Sequence, residues 1–583
     1  MAAFRLDLIG RYLKPHRRTV LMGAMALVVV NIVSVIIPLE VRRIIDDLQE
    51  GFAITDVMRQ ASWIVILASI MGIVRLVSRQ LVFGVGRQVE VDLRQRIFDH
   101  MLRQEPGWVQ ETGSGEVISR ATSDVENIRR LLGFAILSLT NTVLAYCFTL
   151  PAMLAIDPGL TLAAISLYPV MLGTVRLFGG RMMRQQKRQQ EALSSLSELI
   201  QEDLSGISAI KIYGQEQPEQ DAFAERNNTY KDSAIRLART RSTLFPLLGG
   251  ISSVSLLLLL ALGSGQLEQG TLSIGGLVAL ILFVERLVFP TALLGFTLNT
   301  FQTGQVSLER VEELLQRIPM IRNPTTPVIL ETPLKGRIEA RELRIRYDKS
   351  KTDSLSGLSF VINPGELVAV VGPVGCGKTT LARALGRMVE VPRGQLFIDN
   401  HDVNDLLLED LRSNVALVPQ EGYLFTSSLA DNLRYGEPQA SMERVETSAR
   451  QARLMDDIRG FPDGLETLVG ERGITLSGGQ RQRTALGRAL LVEAPVVVLD
   501  DALASVDNKT AASILSSIRA QQNQTILMIS HQLSAAAACD RILVIEQGRL
   551  VQQGHHTDLL AVQGPYRRLW EREQASDQME AVA

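Results

Sequence analysis

The sequence predicts a membrane-embedded all-α domain followed by an α/β domain, and three observations support this fold class. The 583 residues are 46% hydrophobic with a formal net charge of -2, so the chain is too apolar for an ordinary soluble enzyme and long enough for two or more domains. Long uncharged segments recur in the first half of the chain. In the second half, short β-branched segments alternate with helical ones.

Six segments of the first half are candidates to cross a membrane, because a bilayer core needs roughly 20 consecutive apolar residues. Two weaker candidates, residues 60–84 and 273–299, each contain two charged side chains. The other four contain no charge and are residues 19–39, 131–156, 158–175 and 242–267. The sequence therefore predicts six transmembrane helices.

Three of the charges in the weaker candidates are Arg75, Glu285 and Arg286. Intramembrane charges are costly unless they face a cavity or a partner. These side chains could line a transport pathway, or they could make structural contacts between helices. The sequence does not choose between the two interpretations.

Positive charge predicts the orientation of the six spans. The N-terminus and the segments 85–130 and 176–241 are rich in arginine and lysine. We therefore expect a multi-pass protein of the cell (inner) membrane with both termini and the second domain in the cytoplasm. Polar and apolar residues alternate at helical spacing in the two basic segments, so the helices should extend beyond the membrane.

A proline-rich segment near residue 316 predicts a domain boundary. The expected parts are a transmembrane domain at 1–315, a linker at 316–334, an α/β domain at 335–570 and a tail at 571–583. The prolines of the linker are Pro319, Pro324, Pro327 and Pro333. Beyond the linker, the segments ELVAVV, PVVVLD and TILMIS predict strands of a largely parallel sheet.

The segment GPVGCGKTT, residues 372–380, fits the P-loop pattern of nucleotide-binding proteins. It follows the predicted strand ELVAVV and precedes a helical segment, which is the context that the pattern requires. Backbone amides of the loop would cradle the phosphates, and Lys378 would reach the β- and γ-phosphates. The Thr379 hydroxyl would bind magnesium.

A second motif, LSGGQRQRTALGRAL, identifies a family. The further elements that accompany it are Gln420, the GERG at 470–473, the strand that ends at Asp500, Asp507 and His531. Their order and spacing make residues 335–570 resemble the nucleotide-binding domain of ATP-binding cassette (ABC) transporters. The six spans and the segment TGSGEVISRATSDVE are similar to the membrane domain of ABC exporters. The resemblance implies half a transporter, because the family needs two of each domain.

The resemblance also implies roles for the matching residues, with ATP and Mg²⁺ as ligands. Tyr347 would stack on adenine, although it could also be an ordinary strand-edge tyrosine. The magnesium ligands would be Thr379, Gln420 and Asp500. The other nucleotide-binding residues would be Gly372, Gly375, Gly377, Lys378, Thr380, Ser477, Gly478, Gly479, Gln480 and Asp507. Among these, Ser477, Gly478 and Gly479 would bind the ATP that the other subunit holds.

The predicted catalytic residues are Asp501, His531 and Gln420, and Asp501 departs from the family pattern. The family has a glutamate at this position to polarise the attacking water, and aspartate is one methylene shorter. A misplacement of about 1 Å can cost on the order of 100-fold in rate. We expect this site to be slow, unless the backbone shifts to compensate. Gln532 also differs from the arginine that is common after the histidine.

An intact signature motif beside a shortened base resembles the degenerate member of bacterial exporters that pair two different half-subunits. The resulting prediction is an exporter of amphipathic drugs or lipids whose partners are a second half-subunit, membrane lipid and an apolar or amphipathic substrate, but not nucleic acid. A homodimeric lipid flippase or peptide exporter is one alternative. An ATP-gated regulator that does not transport is another, and only Asp501 supports it.

Overall fold

The computed structural model describes residues 6–50, 54–330, 334–347, 350, 352–470, 473, 475–506, 508–519 and 524–582. The chain forms two compact units. Met1–Leu102 and Gly113–Arg317 make up the first unit, and Arg103–Thr112 and Ile318–Ala583 make up the second. The exact domain boundaries stated above stay a prediction.

The described part of the first unit is helical. Two π-helical turns, Arg120–Asp124 and Leu131–Ala135, interrupt it, and a 3-10 turn lies at Lys14–His16. The helices up to residue 316 are α1 (Leu6–Leu13), α2 (Arg17–Glu50), α3 (Ile54–Leu102), α4 (Pro106–Thr112, in the second unit), α5 (Ser114–Ser119), α6 (Val125–Arg130), α7 (Ile136–Ile156), α8 (Pro158–Ile165), α9 (Tyr168–Ser205), α10 (Ile207–Tyr213), α11 (Glu216–Glu268) and α12 (Ile274–Gln316).

In the part of the chain that the structure describes, six helical stretches are long and apolar enough to cross a membrane, which confirms the predicted number. They are Asp7–Gln49, Ile54–Leu102, Ser114–Ile156, Pro158–Ser205, Glu216–Glu268 and Ile274–Gln316. Each contains 43 to 53 residues. At 1.5 Å per residue such helices are roughly 65–80 Å long, whereas a bilayer core is about 30 Å thick. The helices therefore continue well beyond the length that a membrane needs.

A partly buried carboxylate contact joins α2 to the start of α12. Asp46 accepts hydrogen bonds from the Ser273 hydroxyl and the Gly275 backbone N–H, both at 2.9 Å. A negative charge at a helix N-terminus stabilises the exposed amides there. Only glycine fits at position 275, because a Cβ there would lie 2.2 Å from the Arg42 carbonyl oxygen. This contact fixes the entry of the sixth span.

The intramembrane charges differ in their surroundings. Arg286 of α12 donates to Oδ1 of Asn31 at 2.9 Å, and the Asn31 amide donates to Asn141 at 3.2 Å. Arg286 therefore makes a structural contact between spans. Glu285 and Arg75 are exposed on the surface of the unit.

The second unit contains two sheets with helices around them. Its strands are β1 (Ile338–Ile345), β2 (Leu355–Ile362), β3 (Leu367–Val371), β4 (Leu396–Ile398), β5 (His401–Asp402), β6 (Val415–Val418), β7 (Val496–Asp500), β8 (Thr525–Ile529), β9 (Arg541–Glu546) and β10 (Arg549–Gly554). Its further helices are α13 (Lys378–Leu385), α14 (Leu408–Asn414), α15 (Leu429–Arg434), α16 (Met442–Gln451), α17 (Met455–Arg459), α18 (Gly478–Leu491), α19 (Asn508–Arg519), α20 (Leu533–Ala536), α21 (His556–Ala561) and α22 (Pro565–Val582).

The larger sheet has the strand order β10-β9-β3-β8-β7-β6, and all neighbours except β10 and β9 are parallel. Every residue of β3, β7 and β8 is buried, as expected for central strands covered on both faces. This confirms the predicted α/β class. The carboxyl ends of parallel strands meet at one edge, where α/β proteins bind ligands. The segments that follow β3, β7 and β8 are therefore neighbours.

Candidate nucleotide-binding and hydrolysis site

The P-loop joins β3 to α13 and takes backbone conformations that favour glycine. Gly375 has φ 79° and Gly377 has φ 104°, both in the left-handed region. At Gly377 a Cβ would lie 2.4 Å from the Ser354 carbonyl oxygen, and at Gly372 it would lie 2.0 Å from that of Ile545. The loop backbone thus packs closely against neighbouring backbone, which restricts its conformation.

Lys378, the first residue of α13, is 5% exposed and is held by the loop itself. Its ammonium group donates to the carbonyl oxygens of Gly372 at 2.7 Å and of Pro373 at 2.9 Å. Its third N–H group faces the Cys376 sulfur at 3.8 Å. Sulfur is a weak acceptor, and a phosphate oxygen could replace it. The lysine is therefore held inside the loop, and its contact with phosphate stays a prediction.

The donors near the end of β7 fit a magnesium ion. The Thr379 hydroxyl donates to Oδ1 of Asp500 at 3.2 Å. Among the described residues, no group of three or more His, Cys, Asp or Glu side chains could hold a metal. Mg²⁺ commonly takes one or two carboxylates and completes its shell with substrate phosphates and water. Thr379 and Asp500 would hold such an ion, which would offset negative charge on the phosphates.

Burial of Asp500, which is 4% exposed, raises the pKa of its carboxyl above the ordinary value. The hydrogen bond from Thr379 lowers this pKa, and the neighbouring charge of Asp501 raises it further. A cation bound here would relieve the cost of two adjacent buried carboxylates. The electrostatics of the site therefore favour a bound cation.

Asp501 lies directly after β7 and is 8% exposed. Its φ is 53°, a left-handed conformation that aspartate tolerates better than most residues. Oδ1 accepts from the His531 backbone N–H at 3.4 Å, and Oδ2 accepts from the Gln420 side-chain amide at 3.5 Å. The structure thus brings together all three predicted catalytic residues. His531 makes this contact through its backbone.

The signature motif forms the N-terminus of α18. The Ser477 hydroxyl accepts from the Gln480 N–H at 3.2 Å, and the Gln480 side chain accepts from the Ser477 N–H at 2.9 Å. This reciprocal capping box satisfies two of the exposed amides. The N–H groups of Gly478 and Gly479 have no acceptor within the helix, because the first turn offers none. A helix N-terminus of this kind can bind an anion, and the predicted contact with the ATP of the other subunit stays a prediction.

The remaining predicted residues have different outcomes. The Tyr347 hydroxyl lies 3.3 Å from the Thr380 hydroxyl, and its side chain is partly exposed beside the P-loop. This places it where a base could stack, and the adenine role stays a prediction. Asp507 lies outside the described residues, as do Glu471 and Arg472 of the GERG segment.

Sequence reasoning missed Gln482, which links two parts of the site. Its side-chain oxygen accepts from the Ser505 N–H at 2.9 Å, and its amide donates to the Gln420 carbonyl at 3.5 Å. The signature helix is thereby joined to the segments that carry Asp501 and Gln420. Gln482 is 9% exposed, and a buried amide within the signature motif was the available signal.

Asp457 is a second residue that the sequence did not reveal. Its carboxylate accepts from the Gln480 side chain at 3.1 Å and from Arg483 at 2.6 Å. It therefore supports the capping box from the neighbouring helix α17. Asp457 precedes its partners by more than 20 residues, and no local motif marks it.

The assembled site can hold a nucleotide triphosphate with a divalent ion and can orient a water near Asp501. Lys378 and the loop amides would supply positive charge at the phosphates, and Asp500 with Thr379 would supply the metal ligands. Hydrolysis then depends on how well a base reaches the attacking water. The exposed end of α18 could bind a second phosphate group.

Two family models match the chain. The model described as ABC transporter transmembrane region matches residues 20–291, and the model described as ABC transporter matches residues 355–504. A domain of the latter kind binds ATP.

Relatives match almost the whole length of the chain. Escherichia coli (strain K12) multidrug resistance-like ATP-binding protein MdlA is 30% identical, over 95% of this chain and 94% of its own. An ATP-dependent lipid A-core flippase of Thiobacillus denitrificans is 30% identical, over 96% of both chains. A solved bacterial Atm1-family ABC exporter with ATP bound superposes with a TM-score of 0.77 and 26% identity, over 96% of this chain and 98% of the other. The chain therefore belongs to the ABC exporters, which function as dimers and couple ATP hydrolysis to transport across a membrane.

Proposed function

We propose that this chain is one half of an exporter built from two different half-subunits, and that the ATP site on its own P-loop is the slower of the two. Asp501 is the observation that carries the proposal. It follows the magnesium ligand Asp500 directly, in the position where the family has a glutamate. Its role as the base is itself part of the proposal.

The side-chain length of Asp501 decides how fast its own site can turn over. The backbone of Asp501 is anchored by a hydrogen bond from its N–H to the Ile529 carbonyl at 3.0 Å. This anchor opposes the backbone shift that would compensate for a missing methylene. A group displaced by about 1 Å can lose on the order of 100-fold in rate. The site would bind ATP well and hydrolyse it slowly.

The signature end of α18 supports the other half of the proposal. Its capping box is complete, and the amides of Gly478 and Gly479 are available to an anion. In a dimer, this end would complete the ATP site of the partner chain. The partner would supply a P-loop and a base of full length, and hydrolysis would occur mainly there.

The transported substrate is an amphipathic drug or a lipid in this proposal. Relatives that match over nearly the whole chain are named for multidrug resistance and for lipid A-core flipping, which supports both substrate classes. The basic segments 85–130 and 176–241 favour a cytoplasmic location for the second unit. The proposed membrane domain, linker and nucleotide-binding domain are residues 1–315, 316–334 and 335–570, and the proposed location is the inner membrane.

A homodimeric lipid flippase is the second candidate, because a relative with that printed name matches 96% of the chain. The two candidates differ in composition. A homodimer contains one kind of chain with a mass of 64.2 kDa, whereas the proposed complex contains a second chain of different sequence.

Purification from native membranes and transport assays test the proposal together. Mass spectrometry of the intact complex should detect one copy of this chain with one copy of a different half-subunit. Inverted vesicles that contain the complex should accumulate a fluorescent amphipathic drug or a fluorescent lipid when ATP is added. A homodimer with fast ATP turnover would contradict the proposal. ATP binding without movement of either probe would favour a regulator.

A further inference from the structure

A small basic cavity lies between α3 and the helix formed by α6 and α7, outside the nucleotide site. Its volume is about 200 Å³. It is lined by Phe83, Arg87, Arg129, Arg130 and Phe134. Two aromatic rings and three guanidinium groups therefore meet in one place within the first unit.

The order of these residues along the two helices matches a membrane boundary. Phe83 lies at the end of the apolar segment 60–84, and Arg87 follows one helical turn later. On the neighbouring helix, Phe134 lies near the start of the apolar segment 131–156, and Arg130 precedes it by one turn. Phenylalanine rings are apolar and favour the lipid side of this boundary, and arginines favour its aqueous side. The cavity therefore spans the level at which lipid headgroups lie.

Glu90 of α3 is a buried carboxylate that forms ion pairs with arginines at the cavity. It is 4% exposed and contacts three arginines, with distances of 3.0 Å to Arg87, 2.8 Å to Arg94 and 3.2 Å to Arg129. One carboxylate cannot neutralise three guanidinium groups. Arg87 remains the exposed member of the cavity on this side, with two thirds of its side chain accessible.

Glu126 of α6 likewise forms ion pairs with two arginines of the cavity. It contacts Arg130 at 2.6 Å and Arg129 at 3.2 Å. The whole cluster then contains four arginines and two glutamates, which leaves two positive charges uncompensated within it. Each guanidinium group carries five N–H donors, so donors remain for an additional anion.

The backbone around the cavity is closely packed, which fixes its width. A Cβ at Gly86 would lie 3.1 Å from the Arg129 carbonyl oxygen and 3.3 Å from the Gly133 nitrogen. A Cβ at Gly133 would lie 3.1 Å from the Phe83 ring. Phe134 belongs to the π-helical turn Leu131–Ala135, and such turns are frequent at functional sites. The two helices thus hold the arginines at a set spacing.

We propose that this cavity binds the phosphate of an anionic phospholipid from the adjacent leaflet, which is the cytoplasmic leaflet in the orientation proposed above. A drug-sized ligand needs roughly 300–1,000 Å³, so a headgroup fits where such a ligand does not. One arginine can donate two parallel hydrogen bonds to a phosphate group. Basic pockets between membrane helices bind anionic headgroups. The acyl chains would extend past Phe83 and Phe134 into the lipid.

Binding to the purified full-length chain in detergent tests the proposal. Native mass spectrometry would measure the affinity for phosphatidylglycerol, with phosphatidylcholine as the neutral lipid. The variant Arg87→Gln/Arg130→Gln should bind phosphatidylglycerol roughly 30-fold more weakly, because two headgroup contacts are lost. The double change removes the Arg87–Glu90 and Arg130–Glu126 pairs. Glu90 keeps Arg94 and Arg129, and Glu126 keeps Arg129, so each carboxylate retains an arginine partner. Arg184→Gln, at an exposed arginine of α9 outside the cavity, should bind like the wild type.

The outcomes distinguish the possible sources of the phosphate. Equal affinity of the double variant and the wild type would overturn the proposal, as would equal wild-type affinity for the two lipids. Binding of inorganic phosphate that displaces phosphatidylglycerol would assign the cavity to free phosphate instead of lipid. If the double variant does not fold, Arg130→Gln alone retains every contact of Glu90 and should still lose about fivefold in affinity.

Discussion

The P-loop and the carboxylate of Asp501, the proposed base, follow neighbouring regions of one sheet, but they are fixed in different ways. Lys378 is held by two loop carbonyls at 2.7 and 2.9 Å, and the loop backbone is confined by glycine conformations. The Asp501 carboxylate is held by two contacts at 3.4 and 3.5 Å, near the outer limit of hydrogen bonding. In the proposed mechanism, ATP binding therefore depends on the backbone geometry of the loop, and hydrolysis depends on the reach of the Asp501 side chain.

This difference teaches that one site can retain ATP binding while its hydrolysis is weakened. A backbone cradle is disturbed only by changes that move the chain itself. A base one methylene shorter leaves the cradle unchanged and acts only on the chemical step.

The largest effect is expected from Gly377→Ala. The change combines a left-handed backbone with a Cβ 2.4 Å from the Ser354 carbonyl, so unfolding should become easier by about 4 kcal/mol. The matched control is Gly375→Ala, which has φ 79° but open space around the Cβ and should lose about 1 kcal/mol. Urea-induced unfolding followed by tryptophan fluorescence gives both values. Equal losses would show that close packing does not confine the loop.

Lys378→Ala should weaken ATP binding at this chain's own site by about 100-fold, because a charge-assisted contact to phosphate is lost. Binding of a fluorescent ATP analogue to the purified chain measures the change. Lys335→Ala, at an exposed lysine of the same unit, is the control and should bind normally. Unchanged affinity after loss of Lys378 would contradict the role of the loop.

Asp501→Glu should raise the steady-state ATPase rate of the chain purified alone by roughly tenfold, because the longer side chain restores the reach of the base. Affinity for ATP should not change, since the loop is untouched. A fast wild-type enzyme that the substitution leaves alone or slows would show that aspartate suffices here.

The smallest effect concerns Asp500. Because burial raises its pKa, the carboxyl stabilises the fold while protonated, and this contribution is lost as the pH rises through the folded-state pKa. Without Mg²⁺ and ATP, Asp500→Asn should therefore show a slightly higher Tm than the wild type at about pH 8, and the advantage should shrink at about pH 5. Thermal unfolding at the two pH values measures it. A Tm of Asp500→Asn below that of the wild type at about pH 8 would contradict this prediction.

The parts of the site that the sequence predicts are those whose constraints are local. The glycines of the P-loop and Lys378 lie within a few residues of their partners, so a local pattern marks them. Ser477 and Gln480 also lie close together, and the resemblance of the signature motif marks them. The hydrophobic spans are equally readable, since membrane thickness sets their length. Such features depend little on how distant segments pack.

The parts that the sequence could not predict depend on tertiary packing. Gln482 contacts Ser505 and Gln420, which lie 23 and 62 residues away. In the sequence, the arginines of the basic cavity cannot be distinguished from the other positive charges of segment 85–130. Only the adjacent positions of α3 and α6 show that they line one cavity. Arg286 could be assigned to Asn31 only when α12 and α2 were seen together. In each case, the partner belongs to another element.

The capping role of Ser477 must be separated from its proposed role in hydrolysis. Loss of an N-cap alone costs about 1 kcal/mol of stability. Ser441 caps α16 in the same way, through a hydrogen bond from the Arg444 N–H at 3.4 Å. Ser441→Ala therefore reproduces the loss of a cap at a helix outside the nucleotide site, and it should leave the ATPase rate nearly unchanged.

The ATPase rates of Ser477→Ala and Asp501→Asn, measured side by side in the complex with its native partner, test the central claim most directly. Ser477 would complete the partner's competent site, where removal of one donor can cost roughly 100- to 1,000-fold. Asp501 would act in a site that is already slow, so its loss should have little effect on the total rate. The account predicts a far larger loss from the Ser477 change, with assembly of both complexes verified. An equal or larger loss from the Asp501 change would contradict it.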